Sequence, residues 1–475
     1  MTFQEFLPWI DFGFLAYFSF INLFYTFFLL LGAFKIFKRI KEVKEEDTSA
    51  ILSSNSLPSI LFVMPMYNEA ENIVSNIFNL LSISYRYKQI IAVNDGSTDN
   101  TYELLQKAFD LIEIPKYYVD ELPTQKIKAV YRSKSYPEVI VIDKERGGKF
   151  DAINSAVNAA HNPFFVVLDA DTFLDSKGFE ALIRPILTTP QTIAVGATVR
   201  ILNGCTIEFN RISTTAFPKD FLPAVQSLEY LRAFLLRQGF DAINGNFIVS
   251  GAFSIFPRDL IVQVGGFAPT VGEDVEIITR LHRIMRKSKT PYKIKYLPDP
   301  VAWTVAPGHI KGLSKQRINW HFGLLQTIWF HKTICFNPKY TGLGLFGFPF
   351  WLFGEALEPC IETLAWIYVF IAWGLGVLNV PFFLMFLAVS FGYTALYTFF
   401  SLAIEEFGFR KYPSLRNLIM LVTSNLLENI GYRQITVYWR LRSFCRFFAK
   451  FKETRKTSRY INDLVEQALL KLPKK

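Results

Sequence analysis

Residues 143–173 read DKERGGKFDAINSAVNAAHNPFFVVLDADTF, and this segment decides the fold class. It leaves one apolar strand, turns at two glycines, continues with a helical pattern, and enters a second apolar strand that ends in two aspartates. A strand, a helix and a second strand in this order are typical of a parallel βαβ unit. Ligands of such sheets bind where the strands end. The segment therefore predicts an α/β domain with a site near Asp169 and Asp171.

The same alternation extends to both sides of this segment. Apolar, β-branched runs predict strands at 60–64, 89–94, 138–143, 164–168 and 192–199. Helical periodicity predicts helices at 69–82, 99–109, 149–160 and 177–188. We therefore expect a mostly parallel sheet that is covered by helices on both faces.

The two aspartates are candidate metal ligands. In an extended segment residues i and i+2 share a face, so the side chains of Asp169 and Asp171 can reach one site. Their hard oxygen atoms suit Mg²⁺ or Mn²⁺. On its own the pattern also fits two loop carboxylates that bind no metal.

The glycine turn at 144–149 indicates a phosphate ligand. Its glycines allow a ligand to approach the backbone closely, and its basic side chains, such as Lys149, can meet phosphate at the start of the next helix. The spacing is not that of a nucleotide-hydrolysing P-loop, and no GxGxxG sequence follows the first strand.

Four more polar motifs follow the predicted strands or precede the second apolar block. They are PMYNE at 65–69, NDGSTD at 94–99, GED at 272–274 and QRINW at 316–320. Each also has a purely structural explanation, as a turn with a helix cap, an acidic first helical turn or an interfacial helix with a tryptophan anchor.

Composition points to a mixed membrane protein. Of the 475 residues, 51% are hydrophobic and 19% are charged, and the net charge is +10. Basic residues cluster beside apolar segments, which favours membrane flanks over nucleic-acid binding. The four cysteines form no CxxC pair, which fits a reducing compartment.

Uncharged stretches predict the membrane segments. Residues 12–34 are long enough to cross about 30 Å of hydrocarbon. Later spans are expected at 361–378 and 382–404, after an entry segment at 345–352, whereas 415–430 is expected to lie at the interface because a strongly basic stretch follows it. Glu355, Glu358 and Glu362 should either face protein or a polar channel, or mark an interfacial stretch.

Lysines after the first span place its carboxyl end, and hence the middle of the chain, in the cytoplasm. The predicted organisation is a membrane helix at 1–36, a linker at 37–56, a cytoplasmic catalytic domain at 57–330, a membrane region with interfacial helices at 331–450, and a cytoplasmic tail at 451–475 that is a short helix or disordered.

Taken together and in this order, the motifs resemble those of the family 2 glycosyltransferases. The similarity spans residues 57–446 and is greatest to the membrane synthases of cellulose, chitin, hyaluronan and, among bacteria, poly-N-acetylglucosamine. The resemblance implies a GT-A fold, which is a Rossmann-like nucleotide-sugar-binding domain, with flanking transmembrane and interfacial helices.

The resemblance also implies roles for individual residues. Asp274 would be the general base within the motif that contains Glu273, Asp171 would bind the metal, and Asp169 would contact both nucleotide and metal. The other substrate-binding residues implied are Tyr67, Glu69, Asp95, Lys149, Gln316, Arg317 and Trp320.

Two positions depart from the family pattern. Gly272 stands where the family has Thr or Ser, and Asn319 stands where the QxxRW motif has its arginine. Arg317 is a candidate for the lost phosphate contact, although two residues correspond to about 200° around a helix.

The function implied is inverting transfer of a sugar from a UDP-sugar, with Mg²⁺ or Mn²⁺, to a growing glycan or a lipid at the cell membrane. Processive synthesis of a β-linked extracellular or capsular polysaccharide is the main hypothesis, and accessory export or synthase subunits are possible partners. The alternatives are a single-sugar transferase that acts on a polyprenyl phosphate and a catalytically silent membrane subunit that binds nucleotide or carbohydrate.

Overall fold

The computed structural model describes residues 3–45, 57–409 and 415–471. A ten-stranded sheet in the order β3-β4-β5-β2-β1-β6-β11-β8-β12-β7 forms its centre. The strands are β1 Ile60–Met66, β2 Lys88–Asp95, β3 Leu111–Ile114, β4 Ile127–Ser133, β5 Val139–Lys144, β6 Phe164–Leu168, β7 Thr172–Leu174, β8 Thr192–Ile201, β11 Phe253–Pro257 and β12 Lys293–Thr304. A separate hairpin consists of β9 Thr206–Glu208 and β10 Arg211–Thr214.

Helices cover the sheet on both faces, so the predicted α/β class is confirmed. The expectation of a mostly parallel sheet was wrong, because five of the nine neighbouring strand pairs in the described sheet are antiparallel and the four parallel pairs are β5–β2, β2–β1, β1–β6 and β8–β12. They are α2 Ile73–Leu81, α3 Thr101–Phe109, α4 Lys149–Ala159, α5 Ser176–Thr188, α6 Phe221–Ala242, α7 Arg258–Gln263, α8 Glu273–Lys287 and α9 Ile310–Phe330. All five predicted strands and all four predicted helices are present, with ends that differ by a few residues.

The pairing of the strands fixes where the site lies. β1 lies between β2 and β6 and is parallel to both, and β2 is parallel to β5. Successive residues of β1 contribute to opposite faces, with Phe62 and Met64 in one buried cluster and Leu61 and Val63 in the other. The direction of chain progression reverses between β1 and β6, which is where an open parallel sheet leaves a crevice for a ligand.

The first apolar segment is part of one long helix, α1 Phe3–Glu45. Phe6–Lys41 within it is long and apolar enough to cross a membrane, as predicted for 12–34. This helix packs on α6, where the rings of Phe28 and Phe240 stack with centroids 4.1 Å apart. The amino-terminal part of the predicted linker thus continues α1, and residues 46–56 lie outside the described residues.

The second apolar block also contains helices. α10 Leu343–Ala356 and α11 Glu358–Gly374 meet at a 47° bend. The second helix long and apolar enough to cross a membrane is Val380–Ile404. It consists of α12 Val380–Leu387, a π-helical turn and the first part of α13 Tyr393–Phe409. In the described residues there are two candidate spans, or three if the bent pair forms one. These helices mark the chain as a membrane protein.

The three glutamates of this block contact other parts of the protein, which was one of the two alternatives given for them above. Tyr25 donates to Glu355 at 2.6 Å, Arg440 lies 2.7 Å from Glu358, and Arg433 lies 3.0 Å from Glu362. Because each carboxylate has a partner, the cost of placing it among apolar helices is reduced.

The chain then returns to the catalytic domain. α14 Leu415–Leu427 is a helix but not a candidate span, and α15 Arg433–Ala449 leads to α16 Phe451–Lys471. α16 inserts Val465 and Ala468 into the core beneath the sheet. The predicted tail is therefore helical through residue 471 and packed on the domain, and 472–475 lie outside the described residues.

Candidate active site

A cavity of about 1290 Å³ opens at the carboxyl ends of the central strands. Its wall includes Lys149, Asp169, Asp171, Glu273 and Asp274 from the catalytic domain. It continues to Glu355 of α10, within the second apolar block, and to Arg440 of α15, which follows that block. The predicted catalytic and metal-binding residues therefore share one space, and that space reaches the membrane region.

The two aspartates lie just beyond β6. The backbone N–H of Asp169 donates to Ala252 at 3.2 Å, which joins this turn to the residue before β11. The hydroxyls of Thr304 and Thr172 donate to Asp171 at 3.1 and 3.2 Å. Burial, and next the charge of Asp169, raise the pKa of Asp171 to about 6 despite these bonds.

Lys149 joins the aspartates to the GED motif. It is the first residue of α4, and the preceding Gly148 has a φ of 97°, a conformation that favours glycine. Its ammonium lies 2.6 Å from Asp169 and 3.1 Å from Glu273. Burial opposes the charge of Lys149, but the nearby carboxylates outweigh it and raise the pKa of this side chain.

Asp95 fixes the shape of the glycine turn. Its buried carboxylate accepts hydrogen bonds from the backbone N–H groups of Gly147 and Gly148, both at 2.8 Å, and from Lys144 at 2.8 Å. The turn is therefore held in place before any ligand binds. The uridine contact predicted for Asp95 stays a prediction.

Tyr67 and Glu69 lie at the end of β1. The guanidinium of Arg146, from the glycine turn, lies 3.4 Å from the centre of the Tyr67 ring. Burial, followed by the charges of Asp171 and Asp169, raises the pKa of Glu69 to about 7. The first strand thus adds a third carboxylate beside the aspartate pair.

Asp274 lies in the first turn of α8 and lines the cavity. Its side chain is half-buried against Gly251, where an added Cβ would lie 2.8 Å from Oδ2 of Asp274. Burial raises the pKa of Asp274, while the charge of Lys149 opposes the shift. A half-buried carboxylate with a raised pKa is suited to accept a proton.

The QRINW motif lies on α9. Trp320 is 46% exposed and Gln316 lines the same cavity. Arg317 forms a 2.5 Å ion pair with Glu229 of α6, and its guanidinium lies 4.6 Å from the Trp320 ring centre. A phosphate contact by Arg317, as predicted, would therefore compete with an existing ion pair.

Asn319 has a partner that sequence reasoning missed. Arg446 of α15 donates to its side-chain oxygen at 2.6 Å. The two residues are 127 positions apart, and the basic run that contains Arg446 gave no indication of this contact. Glu229 and Arg237, which also line the cavity, were missed because no motif marks α6.

The donor set fits a hard divalent cation. No group of three or more His, Cys, Asp or Glu arranged as metal ligands occurs among the described residues. Asp169 and Asp171 nevertheless provide two carboxylates, with the pKa of Asp171 raised beside a like charge. Mg²⁺ and Mn²⁺ commonly use one or two protein carboxylates and take their other ligands from phosphate and water.

Comparisons with known proteins show which family the sequence matches. The sequence model described as Glycosyl transferase family 2 matches residues 61–265, and that of Glycosyl transferase family group 2 matches residues 164–403. The poly-beta-1,6-N-acetyl-D-glucosamine synthase of Staphylococcus aureus strain COL is 28% identical over 275 residues, which is 57% of this chain and 56% of that protein. The synthase of the same name from Staphylococcus epidermidis is 27% identical over 302 residues, which is 62% of this chain and 61% of that protein. The chain thus matches little more than half the length of these relatives.

Among solved structures, a mannosyltransferase from Pyrobaculum calidifontis in complex with GDP-Man and Mn²⁺ has a TM-score of 0.45 and 16% identity, covering 90% of this chain and 98% of that one. Glucosyl-3-phosphoglycerate synthase from Mycobacterium tuberculosis in complex with Mn²⁺, UDP and phosphoglyceric acid has a TM-score of 0.37 and 15% identity. This match covers 60% of this chain and 82% of that one.

Proposed function

Because the chain belongs to the family 2 glycosyltransferases and has their GT-A fold, we propose that it is an inverting, UDP-sugar-dependent synthase of a β-linked polysaccharide. The observation that carries this proposal is the shared cavity, in which Lys149 bridges Asp169 and the GED motif while Asp274 faces the same space. The family match and the relatives' names support transfer of a sugar, and the donor and product are the finer part of the proposal.

Donor binding would use residues from both halves of the sheet. Tyr67, Glu69 and Asp95 would contact the uridine, and the glycine turn with Lys149 would lie beside the phosphates. Asp171, assisted by Asp169, would hold Mg²⁺ or Mn²⁺, which when bound supplies positive charge to the leaving diphosphate.

Transfer itself would be a direct displacement. The acceptor oxygen forms a bond to the anomeric carbon, the bond from that carbon to the diphosphate oxygen breaks, and UDP leaves with the bonding electrons. Asp274 takes the hydroxyl proton of the acceptor, a general-base role that contributes typically 10²- to 10⁴-fold. Attack from the side opposite the leaving group converts an α-linked donor into a β-linked product.

A polymer product is supported by the reach of the cavity. Trp320 is half-exposed and lines the cavity, where it would contact the acceptor, and the cavity extends to Glu355 and Arg440. A growing glycan could therefore leave the site toward the membrane. The relatives are named as synthases of poly-beta-1,6-N-acetyl-D-glucosamine, and these names favour a polymer product over a single sugar on polyprenyl phosphate.

The catalytic domain would face the cytoplasm, where nucleotide sugars are made. Lys38 and Lys41 lie at the carboxyl end of the first candidate span, and such basic residues are typical of cytoplasmic flanks. Accessory export or synthase subunits remain possible partners.

A panel of labelled UDP-sugars, given to membranes that contain the chain together with Mg²⁺ or Mn²⁺, tests the proposal. We expect one donor to yield long, β-glycosidase-sensitive chains even when acceptor greatly exceeds enzyme. Trp320→Ala should shorten or abolish these chains. A lipid that carries one sugar as the only product would replace the polymer proposal by the polyprenyl-phosphate alternative, and no transfer from any donor would favour the silent subunit.

A further inference from the structure

The missing arginine of the QxxRW motif has a counterpart in space. Position 319 of α9 holds a neutral asparagine where the family pattern has a cation. Arg446 of α15 brings its guanidinium to this position and donates to the Asn319 side-chain oxygen at 2.6 Å. One positive charge is therefore present beside position 319, although it comes from another helix.

Position 319 is connected to the GED motif through α9. Asn319 precedes Gly323 by four residues, so the two share a face of α9 and are about 6 Å apart along its axis. A Cβ on Gly323 would lie 2.9 Å from the Gly272 nitrogen, and Gly272 precedes Glu273 and Asp274. Asn319, Arg446 and Asp274 all line the same cavity.

Three other cations of the cavity wall have carboxylate partners, whereas Arg146 and Arg237 of the same wall contact the aromatic rings of Tyr67 and Phe234. Lys149 pairs with Asp169, Arg317 with Glu229, and Arg440 with Glu358.

Arg446 differs from the three ion-paired cations in its surroundings and is the cation that contacts position 319. Its contacts are the Asn319 amide and the Phe322 ring, whose centre lies 4.5 Å from the guanidinium carbon. Within the described ranges, no carboxylate forms an ion pair with Arg446. An arginine with two neutral contacts keeps its charge and further N–H donors for an anion, and its planar fork suits phosphate oxygens.

We propose that Arg446 binds the diphosphate of the nucleotide-sugar donor and replaces the arginine that position 319 lacks. This assignment rests on the proposed function, because it requires a nucleoside-diphosphate donor. It makes α15, which follows the membrane block, a direct part of the donor site. Asn319 then acts as a positioning residue that orients the guanidinium.

The test compares variants of the full-length chain in detergent or membranes. Arg446→Gln keeps a donor for Asn319 but removes the charge, and N319R/R446N moves the charge to the position of the family arginine. Arg442→Gln is the matched control, because Arg442 lies one turn earlier on α15, is exposed, and is not part of the cavity wall. The readouts are turnover with the best UDP-sugar and the inhibition constants of UDP and of uridine.

We expect Arg446→Gln to lose about ten- to a hundred-fold in UDP affinity and in turnover, the size of a charged hydrogen bond to phosphate. Uridine affinity should stay unchanged, because uridine has no phosphate. N319R/R446N should regain UDP affinity, and Arg442→Gln should resemble the unmodified chain.

Three results would overturn the assignment. Arg446→Gln could match Arg442→Gln, it could lose UDP and uridine affinity in equal proportion, or N319R/R446N could fail to regain UDP affinity. If the unmodified chain neither binds UDP nor uses any UDP-sugar, the proposed function itself fails and the assignment falls with it. A loss confined to the Arg446 variants concerns Arg446 alone.

Discussion

Gly323 of α9 and Gly272, which precedes the catalytic motif, lie backbone to backbone. A Cβ on Gly323 would come within 2.9 Å of the Gly272 nitrogen and 3.0 Å of its Cα. Both of the nearest atoms belong to the backbone, so no side chain can rotate away to make room. The helix that bears Asn319 and Trp320 is thereby held directly against the turn that bears Asp274.

Gly323→Ala should therefore separate α9 from this turn. We expect the free energy of unfolding to fall by about 1–3 kcal/mol, as in other overpacked cores, and transfer activity to fall further than stability. Thermal unfolding in detergent and initial transfer rates measure the two effects. Gly312→Ala on the same helix is the control, because its new Cβ would meet only Pro307 at 3.5 Å. Equal stability of the two variants would contradict the prediction.

Replacement of Asp274 by Asn should abolish transfer while UDP binding stays nearly intact. The amide has the size of the carboxylate but cannot accept the proton, so a loss of at least about a hundred-fold is expected. Asp171→Ala should instead lose the metal-dependent part of UDP binding. Transfer assays and UDP titrations with and without Mn²⁺ distinguish the two. Asp259→Asn, with a side chain that is 85% exposed, is the control. Transfer by Asp274→Asn near the normal rate would exclude Asp274 as the base.

The sequence was sufficient to predict strands whose two faces are both buried. β1, β2, β5 and β6 are continuous apolar runs because each passes through the centre of the sheet. β12 was missed because Pro298 and Pro300 interrupt its pattern and its pairing with β8 is irregular there.

In the candidate site, too, some residues could be predicted from the sequence and others could not. Asp169, Asp171 and Lys149 were predictable because one short segment brings them together. The contact between Arg446 and Asn319 depends on how two helices cross, and local sequence contains no signal for such a crossing. The insertion of Val465 into the catalytic core was equally hidden, since the pattern of α16 specifies an apolar face but not its partner.

Cysteine labelling should reveal opposite exposure of two positions. Asn379, in the turn after α11, donates to Asp11 near the start of α1 at 3.1 Å, so this turn lies at the opposite end of α1 from its lysines. In a background without the four native cysteines, Leu375→Cys should react with an impermeant maleimide on intact cells. Lys456→Cys, on α16, should react only after permeabilisation. Both side chains are exposed, so accessibility within the protein does not limit either reaction. Labelling of position 456 on intact cells would reverse the proposed orientation.

His282 on α8 should make the stability of the catalytic domain depend on pH. Its ring is fully buried, with its two nitrogens 2.7 Å from the Asn246 carbonyl oxygen and 2.6 Å from the Tyr292 hydroxyl. Burial lowers the pKa of His282 to about 3, whereas the pKa of an unfolded histidine is about 6.5. Because the folded-state pKa is the lower one, the unfolded chain binds the extra proton first as the pH falls. The stabilisation is thus complete above about pH 6.5 and is lost progressively as the pH falls toward 3.

Between pH 7.5 and pH 5, His282 should therefore account for a loss of about 2 kcal/mol in the free energy of unfolding. His282→Gln can keep one of the two hydrogen bonds but has no proton to gain. The variant should be less stable at pH 7.5, and its unfolding temperature should change less between the two pH values. His161→Gln is the matched control, because the His161 side chain is exposed. Thermal unfolding of the three chains in one detergent at both pH values decides the matter. An equally steep decrease in His282→Gln and in the unmodified chain would show that other groups cause the pH dependence.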